Sequence, residues 1–303
     1  MKFYICDEGA HHKNRESMRR MMTVNGIDST FESNLHKLND SYDVVMCCNV
    51  FFPPDAFPKR CKVIYGPQLF VFPDNPQHPI HAHMYDSARF FYNSLASWVV
   101  NINRNKAPRL NIPFVTIPMG LDLDHITQVP SLESRTKIMI YFKARKQSHL
   151  TYAINFLKSK DIDPIIIKYG SYTDADFKHL LQTTRFVLWI GSHESQGFAF
   201  QETQASNVPI MVWDVTSMRD ECTGCGRHPY GTPSGVADDL AATTANCWSD
   251  KCGLKFFKEE EMSETFARMN AHIDTFTPRA FIEERLSLVA SFKHLLKTIG
   301  LKE

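Results

Sequence analysis

Arg185-Phe-Val-Leu-Trp-Ile-Gly191-Ser-His-Glu-Ser-Gln-Gly197-Phe-Ala-Phe-Gln-Glu202-Thr-Gln-Ala-Ser-Asn207-Val-Pro209-Ile-Met-Val-Trp213 is the stretch that decides the fold of this chain. Residues 185–191 are an almost continuous apolar run, the pattern of a strand buried on both faces of a parallel sheet. Residues 209–213 read as the next strand. One short helix fits between them, over residues 199–206, stopped by Asn207 and Pro209. The unit is strand–loop–helix–strand, and parallel sheets place ligands at the carboxyl ends of their strands.

The loop of this unit has the chemistry that such a place needs. Gly197 lets the backbone approach a ligand closely, and the N–H groups that follow open a helix with unpaired donors. That positive end suits a phosphate or a sugar hydroxyl. Glu194 in the loop and Glu202 on the helix could reach one ligand from two directions. A carboxylate can accept both hydroxyls of a ribose or steady positive charge at an anomeric carbon. The residues also admit a plainer use, with Glu202 an acid favoured by the helix dipole and Glu194 a solvated loop residue.

Glu194-x7-Glu202, with Gly-Phe-Ala between and Ala-Ser-Asn-Val-Pro after, resembles the E-x7-E motif of retaining GT-B glycosyltransferases of the family 4 type. The family's usual form is Glu-x-Phe-Gly, then Glu-Ala, then Gly-x-Pro. Here Ala199 replaces the second glycine and Asn207 the one before Val-Pro, and Asn tolerates the left-handed backbone. The resemblance implies that Glu202 binds the donor ribose, that Glu194 stands nearest the transferred sugar, and that Gly197, Phe198 and Ala199 line the donor site.

Composition agrees with an ordinary globular protein. At 303 residues the expectation is two domains with sizeable cores, and 43% hydrophobic with 22% charged residues is a normal balance. Lys plus Arg number 34 against 33 for Asp plus Glu, a net charge of +1 that gives no reason to expect nucleic acid as the main partner. No run is long and apolar enough for a transmembrane segment, and Met1-Lys-Phe-Tyr-Ile-Cys6 is too short for a signal peptide, so a cytoplasmic setting is expected. Of the eight cysteines, Cys6, Cys47, Cys48 and Cys61 fall in or beside apolar strands. Cys222-x2-Cys225 and Cys247-x4-Cys252 could together ligate zinc, but the second spacing is loose and reduced thiols are expected instead.

In the amino-terminal half, strands are predicted at residues 2–6, 43–48, 62–65, 98–102 and 114–117, with a helix over 15–24 closed by Asn25-Gly26. Helical segments fit between several of these, so this half reads as a Rossmann-like parallel sheet. The resemblance implies that the loop after the first strand nears the donor phosphates, with Gly9 in the place of the usual paired glycines. Ile117-Pro-Met-Gly-Leu-Asp122 is similar to the segment that leads from the first domain of such enzymes into the second. His11, His12, His78, His81 and His83 crowd two loops. Histidine is the natural base near neutral pH, which makes His12 the candidate, though loop histidines are commonly only solvated. Gly66-Pro-Gln-Leu-Phe-Val-Phe-Pro73 is expected to pack over the sheet end.

In the carboxyl-terminal half, strands are predicted at residues 137–142 and 164–169, a helix over 148–158, and a turn from Gly170 into a further helix. Strands and helices alternate again, giving a second α/β Rossmann-like domain. Lys143 and Arg145 follow the first of these strands. The resemblance places basic residues there on the donor diphosphate, and Gly170 beside the donor; an exposed basic loop is the plainer use. Residues 220–235 read as a long loop near the acceptor or base pocket, and residues 248–256 resemble the short strand late in the donor domains of such enzymes. From Pro278 a long terminal helix is predicted, with Phe281, Leu286, Val289, Phe292 and Leu296 on its apolar side.

The alternation gives an α/β fold of two Rossmann-like domains, and the resemblance implies the GT-B architecture: a first domain over 1–128, a donor-binding one over 129–277 facing it across a cleft, and a helix over 278–303 that braces the first. The implied activity transfers sugar from a nucleotide-sugar donor to a glycan or other hydroxyl acceptor with retention. Lys143, Arg145 and the helix end would aid the leaving diphosphate, so no cofactor or metal is expected. A catalytically silent nucleotide- or glycan-binding module, or a hydrolase or epimerase, are the alternatives on the same scaffold.

Overall fold

The computed structural model describes residues 1–48, 50–68, 89–95, 100, 113–217 and 241–302. The chain divides into two compact units, Met1–Asp122 with Leu286–Glu303, and Leu123–Arg285.

The first unit is built on a parallel sheet of six strands: β1 (Lys2–Cys6), β2 (Asp28–Glu32), β3 (Val44–Cys47), β4 (Lys62–Gln68), β5 (Phe90–Ser94) and β6 (Phe114–Val115), in the order β2-β1-β3-β4-β5-β6. Its central strands are fully buried apolar runs, as a sheet covered on both faces requires: Phe3, Ile5, Val45, Met46 and Ile64 have no exposed surface. Helix α1 (His12–Val24) follows β1 and buries Met18, Met21 and Met22 on one face.

Two strands of this sheet differ from the sequence expectation. β2, Asp-Ser-Thr-Phe-Glu, is an edge strand only partly buried, so its polar residues carry no apolar run to read. β5 lies at Phe90–Ser94, and of the strand predicted at 98–102 only Val100 is described, with helical backbone. The aromatic Phe90-Phe-Tyr92 run, buried beside Tyr65 and Phe114, competes better for the sheet position.

The second unit carries a parallel sheet of five strands: β7 (Lys137–Lys143), β8 (Ile165–Lys168), β9 (Thr184–Gly191), β10 (Ile210–Trp213) and β11 (Gly253–Phe256), in the order β11-β10-β9-β7-β8. Helices α2 (Gln147–Lys158), α3 (Asp174–Leu181), α4 (Phe198–Ala205) and α5 (Met262–Ala271) alternate with them. Ile138, Ile140, Leu188 and Ile190 bury one face with Leu150 and Leu157 of α2, while Met139, Tyr141, Val187 and Trp189 pack on the other with Phe177 and Phe200. This strict alternation along β7 and β9 is the period-two geometry of a strand with a core on each side.

The terminal helix is two helices, α6 (Pro278–Leu286) and α7 (Leu288–Thr298). Ser287 between them has extended backbone (φ −59°, ψ 156°), and its hydroxyl accepts from Ala290 N–H as an N-cap, which ends the first helix and starts the second. Four of the five apolar positions are buried, and Val289 is exposed. α7 packs on the first unit, with the Phe292 ring 5.9 Å from Phe3 and Asn25 Nδ2 donating to Leu288 O (3.3 Å). Gly120 makes this approach feasible, since a Cβ there would lie 2.8 Å from Leu288 Cα. Among the described residues no helix is long and apolar enough to cross a membrane.

Candidate functional site

In the second unit, parallel pairing puts the carboxyl ends of β8, β7, β9 and β10 side by side. Lys143, the last residue of β7, pairs in register with Gly191 at the end of β9. The chain leaving β9 forms the loop 192–197, and α4 begins at its far end. Lys143 thus comes from outside the Glu194–Glu202 motif to meet the loop that carries Glu194 and Gly197.

Their geometry is specific. Lys143 Nζ lies 2.7 Å from Glu194 Oε1, and Glu194 is 7% exposed. The same ammonium sits 4.6 Å from the ring centroid of Tyr169, an exposed residue just past β8. A shielded lysine–carboxylate pair at strand ends is expensive to desolvate, so its presence where ligands bind is informative. Gly197, the N-cap of α4, holds left-handed backbone (φ 74°, ψ 58°), and a Cβ there would rest 3.4 Å from the Glu194 side chain. Phe198 opens the helix, Ala199 is next to it, and Glu202 lies half-buried one turn on.

Arg145 is arranged differently. Ala144, at φ 49°, turns the chain between the two basic residues. Arg145 is 5% exposed; its Nη1 donates to Gly191 O (2.9 Å) and Trp213 O (3.1 Å), and its guanidinium lies 5.7 Å from the Trp213 ring. It ties the ends of β9 and β10 together. Gly170 follows Tyr169 with φ 81° and open space around its Cα. Gly9 (φ 67°) and His12, the first residue of α1, belong to the other unit, where the His11 and His12 rings are 4.3 Å apart. Burial, then the neighbouring His12 and Lys13, hold the His11 pKa below its ordinary value.

Several residues here had no part in the sequence reading. Gln196 Nε2 donates to Gln201 Oε1 (3.0 Å) and Gln201 Nε2 to Gln196 O (2.8 Å), a buried amide pair fastening the loop to α4. Asn246 Nδ2 donates to the carbonyls of Glu194 and Ser195, and Thr244 Oγ1 to those of Gly191 (2.9 Å) and Ser192 (2.7 Å). Glu194 N–H donates in turn to Thr243 O. Asp214, 3% exposed after β10, anchors this strap by accepting from Thr243 Oγ1, Thr244 N–H and Lys255 Nζ. The run Thr243-Thr244-Ala-Asn246, rich in short hydrogen-bonding side chains, is the one sequence signal for it. His193 precedes Glu194; burial and then the Lys143 charge lower its pKa to about 4, so its imidazole is neutral at pH 7.

Among the described residues no group of His, Cys, Asp and Glu is disposed to hold a metal ion. Cys247 and Cys252 are free thiols, each pushed up to about 11 by burial. Cys222, Cys225, His78, His81 and His83 lie outside the described residues, as do most of 66–73 and all of 220–235.

No family model matches the sequence, and no curated protein matches it. Solved structures do match. A lipopolysaccharide outer core galactosyltransferase WaaB in apo form is similar with a TM-score of 0.56 at 10% identity, covering 99% of each chain. A sucrose-phosphate synthase from Thermosynechococcus elongatus is similar at a TM-score of 0.51 and 8% identity, again over 99% of each chain. At these identities the likeness is one of fold. The chain has the two-domain, parallel-sheet fold of the GT-B glycosyltransferases, with its last helix returned to the first domain.

Proposed function

We propose that this protein is a retaining glycosyltransferase whose Leu123–Arg285 unit binds a nucleotide-sugar donor. The observation that carries the reading is the Lys143–Glu194 pair at the carboxyl ends of β7 and β9, beside the Gly197 start of the helix that bears Glu202.

Each group then has a role that its chemistry fits. Glu202 accepts the ribose hydroxyls. Lys143 has three donors, so it meets a phosphate oxygen while keeping Glu194. The amino end of α4, with Gly197, Phe198 and Ala199, adds its dipole to the diphosphate, and Gly170 leaves space next to the donor. Arg145 contributes charge while its Nη1 holds the two strand ends. As the bond to the anomeric carbon breaks, the leaving diphosphate gains charge, and fixed cationic groups stabilise it more than they stabilise the bound donor. Glu194 stands by the sugar, where its carboxylate steadies an oxocarbenium-like centre. The acceptor is a glycan or other alcohol. The cationic side chains serve where a metal would otherwise be needed.

The test is a panel of nucleotide sugars screened by thermal shift, since a ligand that binds only the folded state raises stability by mass action. Hits are then assayed for sugar transfer to glycan acceptors. Transfer with retained anomeric configuration is expected. Binding without turnover would make the protein a binding module, and sugar released to water alone would make it a hydrolase.

A further inference from the structure

We infer that the opposite edge of the second unit's sheet carries a separate ligand site, where Arg135 receives a small monocarboxylate with an apolar body. Arg135 lies two residues before β7, and its neighbours Thr184 and Pro209 stand at the amino-terminal starts of β9 and β10. β7 alone, seven residues long, separates this edge from Lys143 by about 20 Å at the rise of an extended strand. The inference is therefore independent of the donor site.

Arg135 is 5% exposed and lines a cavity of about 360 Å³. Its Nη1 reaches Thr184 O and Asn207 O only at 3.4 Å each, and its buried Nε has no hydrogen-bond partner. Among the described residues no carboxylate comes within salt-bridge distance of it. Arginine is almost never buried without a partner, because a desolvated guanidinium with unmet donors is costly. Burial, and then the charge of Arg185, hold its pKa below the ordinary value. A planar guanidinium with its fork of donors matches a carboxylate best.

The rest of the cavity selects within the anions. Leu132 and Phe276 add apolar surface to a lining that is otherwise mainly polar, and Ser131 stands at the exposed rim. A volume near the low end of small-molecule sites calls for a small ligand. Asp274 also lines the cavity, and its charge opposes a dianion such as sulfate. The same carboxylate would accept an ammonium group, so the monocarboxylate has two sources, a simple acid or a free α-amino acid.

Calorimetry of the full chain with 4-methylpentanoate and with leucine, which differ by the ammonium group, tests this. Saturable binding of at least one probe at millimolar concentration is expected, with sulfate weaker. Arg135→Met should lower the affinity by about tenfold or more. Ser131→Trp, placed at the exposed rim to fill the cavity without touching Arg135, should abolish binding while the thermal midpoint holds. Tighter binding of leucine assigns an amino acid to the site, and tighter binding of 4-methylpentanoate a simple acid. No saturable binding of either probe, sulfate as the tightest ligand, or affinity unchanged in Ser131→Trp overturns the site.

Discussion

Lys143 Nζ and Glu194 Oε1 are 2.7 Å apart at the ends of adjacent parallel strands, although 51 residues separate them in the chain. Neither residue alone marks a site. Together they put one positive and one negative group, both shielded, beside the opening turn of α4. Lys143→Ala would take the ammonium away from the 7%-exposed Glu194. A loss of stability of about 3–5 kcal/mol is expected from removing one member of a buried ion pair. Lys143→Met with Glu194→Leu should recover most of it, as measured by urea denaturation. Equal losses in the single and double variants would show that the pair does not carry the effect.

Glu202→Ala should weaken nucleoside diphosphate binding by about 1.5–3 kcal/mol, the scale of hydrogen bonds to a charged group. Calorimetry measures this directly. Unchanged affinity would remove Glu202 from the ribose.

The 243–246 strap holds the loop that carries Glu194. Asn246→Ala removes the donor to the Glu194 and Ser195 carbonyls, and an orphaned buried carbonyl costs about 1–3 kcal/mol. Because Glu194 N–H donates to Thr243 O, hydrogen exchange at that amide should speed up in the variant. Exchange in β7 should not change. A uniform acceleration across the unit would point to global destabilisation instead.

His193 gives the site a pH signature. Its folded pKa of about 4 lies below the ordinary value of 6.5, so the unfolded chain binds a proton more readily. The sign follows: this contribution to stability is complete above about pH 6.5 and is lost as pH falls toward 4, by up to about 3 kcal/mol. His193→Gln should flatten the stability profile across that window. An identical profile in the variant would place the acid sensitivity elsewhere.

The sequence is legible where a strand is buried on both faces. β1, β3, β4, β7, β9 and β10 all follow apolar runs, and the short helix between β9 and β10 follows from Asn207 and Pro209. The edge strand β2 was not legible, because its polar alternation resembles a loop. The break at Ser287 was hidden by apolar spacing that continues across it, and only the capping hydroxyl reveals it. In the site, the sequence put Glu194 and Gly197 on the loop and Glu202 on the helix that follows, while the roles given to them came from the resemblance and not from spacing. The Asp214–Thr243–Thr244–Asn246 strap could not be read, since its partners lie 29 to 53 residues apart and each is an ordinary polar residue on its own. Arg145 shows the same limit: charge and position suggest a ligand contact, but only the fold shows its Nη1 on two carbonyls.

The most direct test of the donor-site account compares affinity for a nucleoside diphosphate with affinity for the matching nucleoside. The comparison is made in the parent and in Lys143→Gln, which keeps a hydrogen bond to Glu194 while removing the charge. The account predicts that the diphosphate-to-nucleoside ratio falls by about tenfold or more, the scale of one charge-assisted contact, and that EDTA leaves the parent's ratio intact. An unchanged ratio in Lys143→Gln, or a parent ratio that collapses in EDTA and returns with manganese, would contradict it.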